Sequence, residues 1–232
     1  MPDAKTGRPE TGRPGLQSRL YVFDLDGTLV ASRRDLADSV NALLEDLGCA
    51  SLSEGLIGTM VGDGAKQLVE RALAAAGVGH PPTDALDRFL EHYDRRLLVH
   101  TRPYDGIVEM LERLADAGVH RAVLTNKPQP AAERVIEGLA LGRWFDAGVV
   151  GAEGEYPRKP DPGGLLALAA RAGVPVERTL MIGDGAQDVE TARRAGVRVC
   201  AARYGFGFPT AAPLLTPADL IIDTPAALLL SI

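Results

Sequence analysis

The chain has 232 residues and a formal net charge of −6, with 46% hydrophobic and 24% charged residues. This is the composition of a globular chain with one large domain, or a core with a smaller companion. It has neither the ~18-residue apolar run of a membrane helix nor a Lys/Arg-rich run, so no membrane and no nucleic-acid partner is expected. Cys49 and Cys200 are the only cysteines, which argues against a disulfide framework and for a reduced, cytoplasmic setting. The four histidines show no metal-ligand spacing, so any metal is expected on carboxylates, which favours a hard cation such as Mg²⁺.

Residues 1–18 are polar and rich in Gly and Pro, with "TGRP" at 6–9 and 11–14, and read as a disordered tail. A strand begins at Arg19–Val22. Leu36, Val40, Leu43, Leu44 and Leu47 recur at helical spacing before Gly48; Leu68, Val69, Ala72, Leu73 and Ala76 repeat the pattern before Gly77; Leu86, Phe89, Leu90, Tyr93 and Leu97 give a third helix. No strand is expected between 33 and 100. After Pro103, helices alternate with the strands "RAVLT" (121–125), "AGVVG" (147–151), "TLMIGD" (179–184), "VRVCAA" (197–202) and "DLIID" (219–223). Such alternation implies an α/β fold with a Rossmann-like parallel sheet. The expected organisation is a core of 19–32 and 102–232 interrupted by an all-helical cap of 33–101, with linkers near 30–35 and 100–104.

Ligands of open parallel sheets bind beyond the carboxyl ends of the strands. The first strand ends in Asp24-Leu25-Asp26, "RAVLT" runs into Asn126, and "TLMIGD" ends in Asp184 with Asp188 one helical turn on. Two unit charges ~4 Å apart at an effective dielectric of ~20 repel by about 4 kcal/mol, so acids gathered at one edge call for a cation. Asp24 and Asp184 are its natural ligands, with Asp26, through its backbone carbonyl, as a third. Thr125, Asn126 and Lys159 supply donors for a phosphate, which points to phosphoryl transfer. Residues i and i+2 of an extended stretch share a side. Asp24 is thus placed to attack phosphorus while Asp26 reaches the leaving oxygen as general acid and then base. Gly27 permits a tight turn, and Thr28 is expected to fix Asp26 by a hydrogen bond.

Together "DLDGTL" (24–29), "LTNKP" (124–128), "RKPDP" (158–162) and "GDGAQD" (183–188) resemble the four ordered motifs of the haloacid dehalogenase-like hydrolases. The resemblance implies an aspartyl-phosphate on Asp24, acid/base work by Asp26, phosphoryl binding by Thr125 and Lys159, Mg²⁺ on Asp24 and Asp184, and Asp188 behind them pairing Lys159. Gly185 departs from the Ser or Thr common after the fourth-motif aspartate. An acid at position 26 favours phosphatases or mutases over dehalogenases, whose halide needs no proton. "DLADSVNALLEDLG" (35–48), "VGDGAKQLVERAL" (61–73) and "PYDGIVEMLERLADAG" (103–118) resemble the phosphoglycolate phosphatases. The expected substrate is therefore a small phosphorylated metabolite, 2-phosphoglycolate, with the helix start at Gly62–Lys66 facing the site and Lys66 adding a charge. The alternatives are another capped phosphatase or mutase (pyrophosphatase, sugar phosphatase, β-phosphoglucomutase), a phosphonate-cleaving enzyme using Lys66, or a non-catalytic binding protein on the same fold. A monomer or homodimer is expected.

Overall fold

The computed structural model describes residues 18–230. The tail expected at the N-terminus lies outside these residues except for Ser18, which is buried.

Strand β1 (Leu20–Phe23) is followed by a two-residue strand, β2 (Val30–Ala31), and then by four helices: α1 (Arg33–Asp46), α2 (Glu54–Gly58), α3 (Ala65–Ala75) and α4 (Ala85–Arg96). Strand β3 (Arg102–Pro103) returns the chain to α5 (Ile107–Asp116), β4 (His120–Pro128), α6 (Gln129–Gly138), β5 (Gly148–Ala152), α7 (Gly163–Ala172), β6 (Thr179–Gly183), α8 (Ala186–Ala195), β7 (Arg198–Ala202), α9 (Phe208–Ala211), β8 (Leu220–Ile222) and α10 (Pro225–Leu230). Six strands form one parallel sheet in the order β5-β4-β1-β6-β7-β8.

Strand β1 sits inside the sheet, pairing Leu20 with His120 on one side and with Thr179 on the other. Its side chains alternate between two apolar layers, as strand geometry requires. Tyr21 and Phe23 pack in the layer of α5, α6 and α10, which continues into the helical insertion; Leu20 and Val22 pack in the layer of α7 and α8. A strand buried on both faces can be apolar throughout, as "LYVF" is. Cys200 is fully buried in β7.

The helices α1–α4 lie between β2 and β3, and no strand interrupts them. The two expected linkers meet as an antiparallel ribbon, Val30 opposite Pro103 and Ala31 opposite Arg102. Beside it the fully buried Asp35 carboxylate accepts hydrogen bonds from the His100 N–H (2.9 Å), the Thr101 N–H (2.7 Å) and the Thr101 hydroxyl (2.7 Å). The entry into the insertion is thereby tied to its exit.

Candidate active site

Asp24 follows the last residue of β1 and its N–H still donates to the Ile182 carbonyl at 2.8 Å, so the chain leaves the sheet beside β6, whose end carries Asp184. A tight turn follows: the N–H groups of Leu29 and Val30 both donate to the Leu25 carbonyl at 3.0 Å. Gly27 holds φ of 90°, and a Cβ there would lie 2.1 Å from Asp184 Oδ2. Glycine is required here for conformation and for space.

Asp24, Asp184 and Asp188 place oxygens within 4.8 Å of one another. Lys159 Nζ stands among them, 2.8 Å from Asp24 Oδ1 and 2.5 Å from Asp188 Oδ1. Asp188 Oδ2 accepts the Gly185 N–H at 2.9 Å, and Asp184 accepts the Thr28 hydroxyl (2.9 Å) and the Gly207 N–H (2.7 Å). Burial, followed by the Asp188 charge, pushes the Asp24 carboxyl up to about 7. Burial and the charges of Asp24 and Asp188 push Asp184 well above the usual carboxylate range. Lys159 is held above its ordinary value: burial alone would lower it, and Asp188 and Asp24 more than reverse that. Three carboxylates thus crowd one buried pocket around an ammonium that pairs with two of them. An all-oxygen set with surplus negative charge and fixed outer hydrogen bonds fits a hard dication.

The side chain of Asp26 stands apart from this trio. Lys127 Nζ lies 2.9 and 2.8 Å from its two oxygens and also donates to the Tyr93 hydroxyl of α4. The carboxylate cluster takes Asp188 as its third member, while Asp26 was expected to contribute a backbone carbonyl. Thr28 bonds Asp184 rather than Asp26, because the turn at Gly27 swings it towards β6. Thr125 is buried at the cavity, and its oxygen accepts the Lys127 N–H at 3.2 Å, which leaves its own proton to donate. Asn126 spends its amide N–H groups on the carbonyls of Gly62 (2.9 Å) and Lys159 (3.0 Å), so it ties the insertion to the core. Lys66 does not reach the site. It lies on the outer face of α3, 63% exposed and 3.9 Å from Glu70, because Ala65 and Leu68 take the inward positions of that helix.

These groups form the floor of a cavity of about 270 Å³ roofed by the insertion, with Leu36, Leu68, Phe89, Tyr93 and Leu97 in its walls. Gly62, Gly64 and Ala65 face it at the start of α3, as expected. Gln187 passes between two glycines to donate to Asp63 at 2.5 Å; a Cβ on either Gly62 or Gly185 would lie 2.9 Å from its Oε1. The departure at Gly185 therefore makes room for a contact from core to insertion. Sequence reasoning missed Lys127 and Gln187. The i, i+2 rule that pairs Asp24 with Asp26 also pairs Thr125 with Lys127, and was the available signal for the lysine.

A family model described as haloacid dehalogenase-like hydrolase matches residues 19–196. The chain is 42% identical over 195 residues to a phosphoglycolate phosphatase of Rhodospirillum rubrum, covering 81% of this chain and 80% of that one. It is 37% identical over 223 residues to one from Agrobacterium fabrum, covering 94% and 93%. Among solved structures, a predicted phosphoglycolate phosphatase from Haemophilus somnus superposes with a TM-score of 0.84 at 31% identity, covering 92% of this chain and 97% of that one. The chain belongs to the haloacid dehalogenase-like hydrolase family and is, like these relatives, a phosphatase.

Proposed function

We propose that the protein is a Mg²⁺-dependent phosphatase that hydrolyses 2-phosphoglycolate to glycolate and phosphate through an aspartyl-phosphate on Asp24, with residues 33–101 acting as a cap over a core of 19–32 and 102–232. The observation that supports this reading is the placement of Asp24 against Lys159 and within reach of Asp184 and Asp188, with Asp26 lining the same cavity.

Asp24 Oδ1 is engaged by the Leu25 N–H and by Lys159, so Oδ2 is the oxygen that attacks phosphorus. As the phosphorus–ester bond breaks, Asp26 delivers a proton to the leaving oxygen. In the second step Asp26 takes a proton from a water that attacks the acyl phosphate, which releases inorganic phosphate and restores Asp24. Lys159 and the Thr125 hydroxyl hold phosphoryl oxygens throughout. Asp24, Asp184 and Asp188 would hold the cation, whose charge, when bound, offsets the surplus carboxylates and that of the phosphoryl group.

Phosphate release from a panel of phosphate monoesters, measured with Mg²⁺ and with a chelator, tests the proposal. 2-Phosphoglycolate should rank first by kcat/KM, and the chelator should stop release. A sugar phosphate or pyrophosphate in first place would overturn the substrate assignment, and undiminished release in chelator would overturn the metal requirement.

A further inference from the structure

A small ester with an acid on its leaving group needs a donor for that acid, and the residue expected for it, Lys66, faces solvent. We infer that Lys127 of β4 and the Tyr93 hydroxyl of α4 form the subsite that takes the carboxylate of the leaving group; this rests on the substrate reading above.

Three cationic side chains line the cavity among the described residues: Lys127, Arg134 and Lys159. Lys159 is committed to Asp24 and Asp188 on the phosphoryl side. Arg134 is half exposed and paired with Asp94. Lys127, also paired but on the leaving-group side, has its side chain 2% exposed and its Nζ against both oxygens of Asp26, the group that serves the leaving oxygen. In 2-phosphoglycolate one carbon separates the ester oxygen from the carboxylate, so a molecule whose ester oxygen meets Asp26 brings its acid to the neighbouring Lys127.

Tyr93 supplies the second donor. Its oxygen accepts from Lys127, and the ammonium also lies 4.8 Å from the centre of its ring. The tyrosine proton is therefore left to donate into the cavity. Around the pair the wall is apolar, formed by Leu36, Leu68, Phe89 and Leu97. A carboxylate placed elsewhere on that wall would be desolvated without a partner. One donor comes from the core sheet and the other from the insertion, so both are present only while the insertion covers the floor.

The test compares 2-phosphoglycolate with 2-hydroxyethyl phosphate, in which a neutral hydroxymethyl group replaces the carboxylate. The ratio of their kcat/KM values should fall about thirtyfold in Lys127→Met and about tenfold in Tyr93→Phe, whatever the absolute loss. Thermal melts establish that each variant is folded, and Tyr93→Phe keeps the test open if Lys127→Met is not. An unchanged ratio in the folded variants, with both esters slowed equally, would confine Lys127 to orienting Asp26 and overturn the subsite. A wild-type enzyme that prefers another carboxylate-bearing ester, with the same selective loss in the variants, would overturn the choice of 2-phosphoglycolate and support the subsite.

Discussion

The two oxygens of Asp24 have different surroundings: Oδ1 is fixed by an ammonium and an N–H that do not engage Oδ2, in a residue that lines the cavity. Asp24→Asn keeps the shape and removes the proposed nucleophile, so phosphate release should vanish while the circular-dichroism spectrum and melting temperature stay near wild type. Thr28 acts through Asp184. Thr28→Val removes the hydroxyl that orients that carboxylate, and apparent Mg²⁺ affinity should weaken about tenfold in a metal titration of activity. Asp24, Asp26, Thr125 and Asp184 were legible in the sequence because strand ends gather at one edge; Asp188 followed from one helical turn after Asp184, and Lys159 from its place before a helix between two of those strands. The partner of Thr28 was not, because spacing gives the side a residue faces and not the distance it reaches across a turn. Asn126 was assigned by its position next to Thr125, yet its amide closes a contact between loops that are 64 and 33 residues from it in sequence.

At the scale of elements, helical periodicity revealed α1, α3, α4 and α5, while the two-residue strands β2 and β3 were too short to leave a pattern. Asp35 looks in sequence like an ordinary first-turn acid of α1. In the structure it is fully buried and holds three hydrogen-bond donors of the exit segment. Asp35→Ala leaves those donors without an acceptor, which should cost about 3 kcal/mol and lower the melting temperature by roughly 6–12 °C in calorimetry. Asp35→Asn, which keeps an acceptor oxygen, should lose less.

For the whole molecule, the loop before α3 carries three of the contacts between insertion and core, beside those that α4 makes through Tyr93 and Asp94. The Gly62 carbonyl accepts from Asn126, the Asp63 carbonyl accepts from Arg158 at 3.3 Å, and the Asp63 carboxylate accepts from Gln187. These join the insertion to the end of β4, to the loop before α7 and to the start of α8. Gln187→Ala removes one of them without touching the acidic trio, and should raise KM about fivefold in steady-state kinetics. Gly185→Ser should act in the same direction, because its Cβ displaces the Gln187 amide. The order of the sheet was not written in any local pattern. It follows from pairing across long stretches of chain, and this has a consequence for synthesis. Strand β1 is among the earliest described segments to leave the ribosome, yet its neighbours begin at His120 and Thr179. About 160 residues must be translated before its second edge is covered, roughly 8–30 s at about 5–20 residues per second. The strand that leads into Asp24 therefore waits as an uncovered apolar ribbon while the helices that will roof it are already emerging, which makes the nascent chain, more than the finished enzyme, the form most exposed to aggregation.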